Sequence, residues 1–100
     1  MKNYRLTKAA QVDLDLLLDQ GIDNYGIDVA IEYYDDLEQR FEELAEQPYL
    51  YPAVNEVRVG YRRSVSGVHS IYYQINEEEI IIARILKKQD LLKQLSDQNL

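Results

Sequence analysis

Two periodicities divide the chain. From Ala10 to Tyr25 the apolar positions Ala10, Leu14, Leu17, Leu18, Ile22 and Tyr25 recur at helical spacing, with Asp13, Asp15, Asp19 and Asp23 mostly off that stripe. Thr7 stands where a helix N-cap belongs, and Gly26 supplies the backbone freedom to end the helix. A second helix is predicted from about Asp28 to just before Pro48. Its apolar stripe is Ala30, Tyr33, Tyr34, Leu37, Phe41, Leu44 and Ala45, and its other face is acidic. The short break at Gly26 makes the two helices an antiparallel hairpin. Residues 2–6 read as a short strand with Tyr4 and Leu6 on one face. After a tyrosine-rich loop between Pro48 and Pro52, the period changes to two. Val57, Val59, Tyr61, Arg63 and Val65 alternate with Arg58, Gly60, Arg62 and Ser64. Ser66-Gly67 reads as a tight turn, Val68 to Ile75 as a strand, and Asn76 to Glu79 as a second turn. Ile80 to Leu86 is a near-continuous β-branched run, expected of a strand buried on much of both faces. Leu91, Leu92 and Leu95 lie at helical spacing in a last segment from Lys87 to Leu100. The prediction is an α+β fold of order β-α-α-β-β-β, with an antiparallel meander, the helical hairpin on one face and a short C-terminal helix.

One hundred residues suffice for one domain, taken here as residues 1–100. The 46% apolar content is that of a globular chain. No apolar run approaches the ~20 residues of a membrane span, and the first residues lack a signal-peptide core. With one His and no Cys, neither a disulfide framework nor a thiolate zinc site can form. These features point to a cytoplasmic protein without a cofactor.

Charge is distributed unevenly. Residues 1–55 carry four bases against twelve acids, whereas residues 56–100 carry seven against six. A net charge of −7 argues against unspecific nucleic-acid binding, which depends on neutralising phosphates. The strands nevertheless gather Arg58, Arg62, Arg63, His69, Tyr72 and Arg84 in one sheet. Guanidinium groups beside aromatic rings suit phosphate and base contacts. The structural alternative is that these arginines lie over apolar surface or pair with the abundant acids, and on residue types alone it is the stronger. By parity His69 falls with Ile71 and Tyr73, toward the helices. Tyr33 and Tyr34 sit on the core stripe and read as packing residues with wet hydroxyls. Neither a Ser/His/Asp spacing nor a glycine-rich phosphate loop is present.

Taken in order, Tyr4-Arg5-Leu6-Thr7-Lys8-Ala9-Ala10 with Asp13-Leu14, Tyr25-Gly26, Ala30 and Tyr33, then Leu37, Phe41, Leu44-Ala45 and Pro48, resemble the ParE branch of the ParE/RelE toxin superfamily. So do Arg58 to Arg63, Gly67 to Tyr73 with its His69-Ser70-Ile71-Tyr72-Tyr73 ending, and Arg84-Ile85-Leu86 followed by Gln89-Asp90-Leu91. The resemblance spans nearly the whole chain. It implies the toxin of a type II toxin–antitoxin module, inhibiting DNA gyrase by binding and plasmid-stabilising in character. A cognate antitoxin, ParD-like or of another family, would neutralise it in a hetero-oligomer and carry it to operator DNA. RelE-like relatives are instead ribosome-dependent mRNA endoribonucleases. Here the middle strands have no lysine cluster, and Lys87 stands where the related pattern often has His, so a general base is missing there. A member that only binds antitoxin is the third reading. The resemblance makes Arg58, Arg62, Arg63, Tyr72, Arg84, Lys87 and Lys88 candidates for target contact, with no catalytic residue. Leu16, Ile27, Val29, Ile31, Tyr49 and Tyr51, off the core stripes or in loops, are candidates for the antitoxin surface. Toxins of this family tend to be basic. The acidic helices of this chain, with a sequence pI near 4.6, change which partner surface they attract.

Overall fold

The computed structural model describes residues 3–77 and 79–87. In chain order the elements are β1 (Asn3–Leu6), α1 (Lys8–Tyr25), α2 (Ile27–Glu46), β2 (Tyr61–Ser66), β3 (His69–Asn76) and β4 (Glu79–Lys87). Lys88 and the C-terminal helix expected before Leu100 lie outside the described residues.

The helix ends follow from local chemistry. The Thr7 hydroxyl accepts from Ala10 N–H at 3.0 Å and donates to Ala83 C=O at 2.8 Å. It therefore caps α1 and pins it to β4. Gly26, at φ +90°, is the only residue between the helices. Its N–H donates to Ile22 C=O at 2.9 Å and its C=O accepts from Ala30 N–H at 3.1 Å, so one residue ends α1 and starts α2.

The strand order is β1-β4-β3-β2. β2, β3 and β4 form the expected antiparallel meander. β1 joins β4 in parallel, with Leu6 opposite Ile82, so the sheet as a whole is mixed. The antiparallel sheet of the sequence reading thus holds for three strands of four. The cause is the path of the chain. The two helices bring it to the far edge, the loop after α2 runs back antiparallel along β2 with Ala53 opposite Arg62, and three meander strands then end beside β1 running the same way.

β2 begins at Tyr61, four residues later than the valine alternation suggests. Gly60 sits at φ +87°, its N–H held at 3.0 Å by the Asn55 side chain, and Val54 C=O accepts from both Val57 and Arg58. Those turns break the extended run. The hairpin turn is at Gly67-Val68, one residue beyond the expected site, with Gly67 at φ +61°. A bulge in β4 sets Tyr72 opposite Arg84 and Tyr73 opposite Ile82, leaving Ala83 as the extra residue.

The main core lies between the sheet and the helices. Leu14, Leu37, Phe41 and Leu44 meet Ile71, Tyr73, Ile80, Ile82 and Ile85. Each such side chain contributes roughly 1.5–3 kcal/mol on burial. On the other side of the sheet a smaller cluster joins Val54, Tyr61, Tyr72, Ala83 and Leu86. β4 is therefore buried on both faces, as its apolar run, interrupted only by Arg84, indicates.

Candidate functional site

The sheet disperses the candidate target-binding residues. Arg58 lies in the turns before β2, with its guanidinium 5.8 Å from the Tyr61 ring. It is off the strand, so it shares no strand face with Arg62. Arg62 points to the helix side. Its Nη1 donates to Tyr51 C=O at 2.6 Å and its guanidinium lies 4.9 Å from the Tyr49 ring. Arg63, Tyr72 and Arg84 stand side by side across β2, β3 and β4. Tyr72 is fully buried, and its hydroxyl finds no hydrogen-bond partner among the described residues. It packs within the sheet and presents nothing to a target.

Arg84 is drawn to the helix. Its Nε and Nη2 donate to the two Asp13 carboxylate oxygens at 2.8 and 3.1 Å, and Asp13 also accepts from Ile85 N–H at 3.0 Å. β1 ends opposite Ile82, so Asp13 takes the place of a neighbouring strand at this stretch of the β4 edge. The bidentate pair is the strong form of such a contact. Lys87, at the end of β4, reaches Gln20 Oε1 at 3.4 Å.

His69 faces the helices, as its parity indicates. Tyr33 Oη donates to Ser66 C=O at 2.6 Å and lies 2.9 Å from His69 Nδ1. With the tyrosine proton committed to Ser66, Nδ1 carries the hydrogen and donates to Tyr33. Burial raises the Tyr33 pKa, opposed by the Ser66 bond. The Tyr33 hydroxyl is thus bonded, and this clasp ties α2 to the β2–β3 hairpin.

Of the candidate antitoxin-binding residues, Leu16, Ile27, Val29, Ile31 and Tyr49 are exposed. Tyr51 is partly buried against the main core and donates to Glu43 at 2.5 Å, a bond that leads in raising its pKa. Val29 lines a mostly apolar cavity of about 250 Å³ between the hairpin of α1 and α2 and the turn at Val68. Leu16, Ile27 and Ile31 do not line it. Sequence reasoning missed the cavity, Asp13 and Arg40. Arg40 Nη1 donates to Ser64 Oγ at 2.7 Å and Val65 C=O at 2.8 Å. Its signal was in view, as the only base between Lys8 and Arg58 and seven residues beyond Tyr33 on α2.

Among the described residues no group of three His, Asp or Glu is placed to hold a metal, and no helix is long and apolar enough to cross a membrane. Residues 4–92 match the family model described as ParE toxin of type II toxin-antitoxin system, parDE. The chain is 34% identical over 82 residues to Toxin ParE1 of Caulobacter vibrioides, covering 82% of this chain and 85% of that protein. It is 33% identical over 84 residues to Toxin ParE1 of Mycobacterium tuberculosis, covering 83% and 86%. A solved structure titled as the chromosomal ParDE TA system from P. aeruginosa has the same fold, with a TM-score of 0.73 at 21% identity over 87% of this chain and 95% of that one. The chain belongs to the ParE toxin family of type II toxin–antitoxin systems.

Proposed function

We propose that this chain disables DNA gyrase by binding it, without catalysis, and that a cognate antitoxin silences it by covering the helical hairpin. The antitoxin would also carry the complex to operator DNA, and the action belongs in the cytoplasm, where gyrase works. The carrying observation is that three of the candidate polar groups of the sheet are engaged in structural bonds. Arg84 is held by Asp13, Arg62 by the Tyr51 carbonyl, and His69 by Tyr33 on the helix side. Acid–base catalysis needs two groups converging on one reacting atom; Tyr33 and His69 do meet on the cavity wall, but they bond each other and the Ser66 carbonyl and so hold the hairpin. Arg63 makes no ion pair among the described residues and is the strand cation best placed to meet a partner.

Supercoiling by purified gyrase tests the reading. Inhibition is expected, weakened about fivefold by Arg63→Ala, as for loss of one interface arginine worth roughly 1 kcal/mol. Full supercoiling in a large molar excess of the protein counts against it. Ribosome-dependent cuts in translated messenger, seen by primer extension, would establish the endoribonuclease reading instead.

A further inference from the structure

The cavity beneath the Gly26 link has the form of an anchor site. Leu17 and Gly21 of α1, Val29 and Tyr33 of α2 and Val68 of the hairpin turn line its apolar part. At about 250 Å³ it is smaller than the ~300–1,000 Å³ of small-molecule sites, so it suits one large side chain. The two helices touch behind it, since a Cβ on Gly21 would lie 3.3 Å from that of Ala30. Its mouth is apolar and open to solvent, with Tyr25 72% exposed, Val29 52% and Val68 70%.

Charge selects the partner. Asp19 and Asp23 on α1 and Asp28 and Glu32 on α2 stand within a turn of the lining residues and are all exposed. None forms an ion pair among the described residues. Lys87 is on the cavity wall, reaching Gln20. A second copy of this chain, at net charge −7, would bring the same acids against these.

We propose that the cavity receives one Leu, Met or Phe side chain from a helical segment of a different protein, which carries Lys or Arg within one turn on each side of that anchor. The inference rests on the hairpin being the antitoxin-binding face and specifies the chemistry of the segment that binds there. A helix laid in a groove offers such an anchor with flanking charges one turn away.

Two acetylated and amidated helical peptides test this, each with one central Phe, flanked by Lys in one and Glu in the other. Calorimetric titration of the full chain should show the Lys peptide binding at least about tenfold more tightly at low salt, with the gap narrowing in about 0.5 M salt. Val29→Glu with Val68→Glu should weaken it about tenfold or more while leaving the unfolding midpoint unchanged, because both side chains are exposed. Asp23→Lys with Glu32→Lys should reverse the preference. Equal affinities, a preference for the Glu peptide, no binding by either, or binding that survives the Val29/Val68 variant would overturn the proposal. An antitoxin that binds the wild type and this variant equally would remove the anchor site and leave antitoxin binding standing. Peptides that behave as expected while gyrase is unaffected would remove the target and leave the anchor site.

Discussion

The two ends of the helical hairpin differ in how far folding has completed them. Where α1 begins and α2 finishes, the local groups are matched. The Tyr4 ring lies 5.5 Å from that of Phe41, Thr7 caps α1, Asp13 holds Arg84 and the Ile85 N–H, and Arg40 bonds Ser64 and Val65. Pro48, just past α2, accepts the Tyr73 hydroxyl at 2.8 Å. At the Gly26 end, α2 starts without a side-chain cap, Tyr25 and Val29 remain exposed on the cavity, and Ile27 is exposed beside the link. Stability is concentrated at one end, and among the described residues the other keeps apolar side chains exposed. If the proposed capture surface lies at the Gly26 end, that separation lets changes there alter binding while the fold stays intact.

The most severe challenge to this contrast is a pair of truncations on the same helix. Phe41→Ala, at the matched end, removes a side chain that is 1% exposed and should destabilise the protein by about 3–5 kcal/mol. Val29→Ala, twelve residues earlier and half exposed, should stay within about 0.5 kcal/mol. Urea midpoints measure both. Comparable losses would mean that the hairpin is stabilised evenly along its length.

High pH probes the matched end without a substitution. Burial pushes the Tyr73 phenol up to about 12, against a small opposing pull from Arg62. The unfolded phenol ionises near 10, so between the two values the unfolded chain loses a proton that the folded chain retains. The contribution is therefore fully present below about pH 10 and is lost as the pH rises toward 12, on the order of 2 kcal/mol. Tyr73→Phe should lower stability at neutral pH and flatten the decline above pH 10, followed by urea unfolding at each pH. An unchanged slope would show that burial of the Tyr73 phenol carries no such linkage.

These effects bear on what the sequence made legible. The β-α-α-β-β-β order, both helices and the side occupied by His69 follow from periodicity, because burial on one face imposes it directly. The start of β2 does not, since Gly60 interrupts the valine alternation through a backbone angle that hydrophobicity does not encode. The parallel placement of β1 depends on where a long connection returns, not on the four residues of the strand itself. Asp13 looks like one more solvated helix acid until the missing neighbour of β4 gives it a role, and Arg84 then ceases to look like a free cation. The cavity is a vacancy shared by three elements, each contributing one or two ordinary residues, and has no motif of its own.

The smallest effect sharpens the open end. Gly67 lies at φ +61°, and a Cβ there would come within 2.9 Å of Tyr33 Oη. Gly67→Ala therefore incurs two separate costs: about 1 kcal/mol for the left-handed backbone, and the displacement of Tyr33 from Ser66 and His69. The total should be about 1–2 kcal/mol by urea unfolding. Tyr33→Phe already gives up the hydroxyl and its bonds, so Gly67→Ala should be milder in that background. The double-mutant cycle should show about 0.5–1 kcal/mol of coupling. Because the clasp forms one wall of the cavity, both single variants should also weaken the lysine-flanked peptide while preserving its advantage over the glutamate one. Additivity within about 0.3 kcal/mol would mean that the hairpin turn is held by its own geometry and that Tyr33 contributes only as a lining side chain.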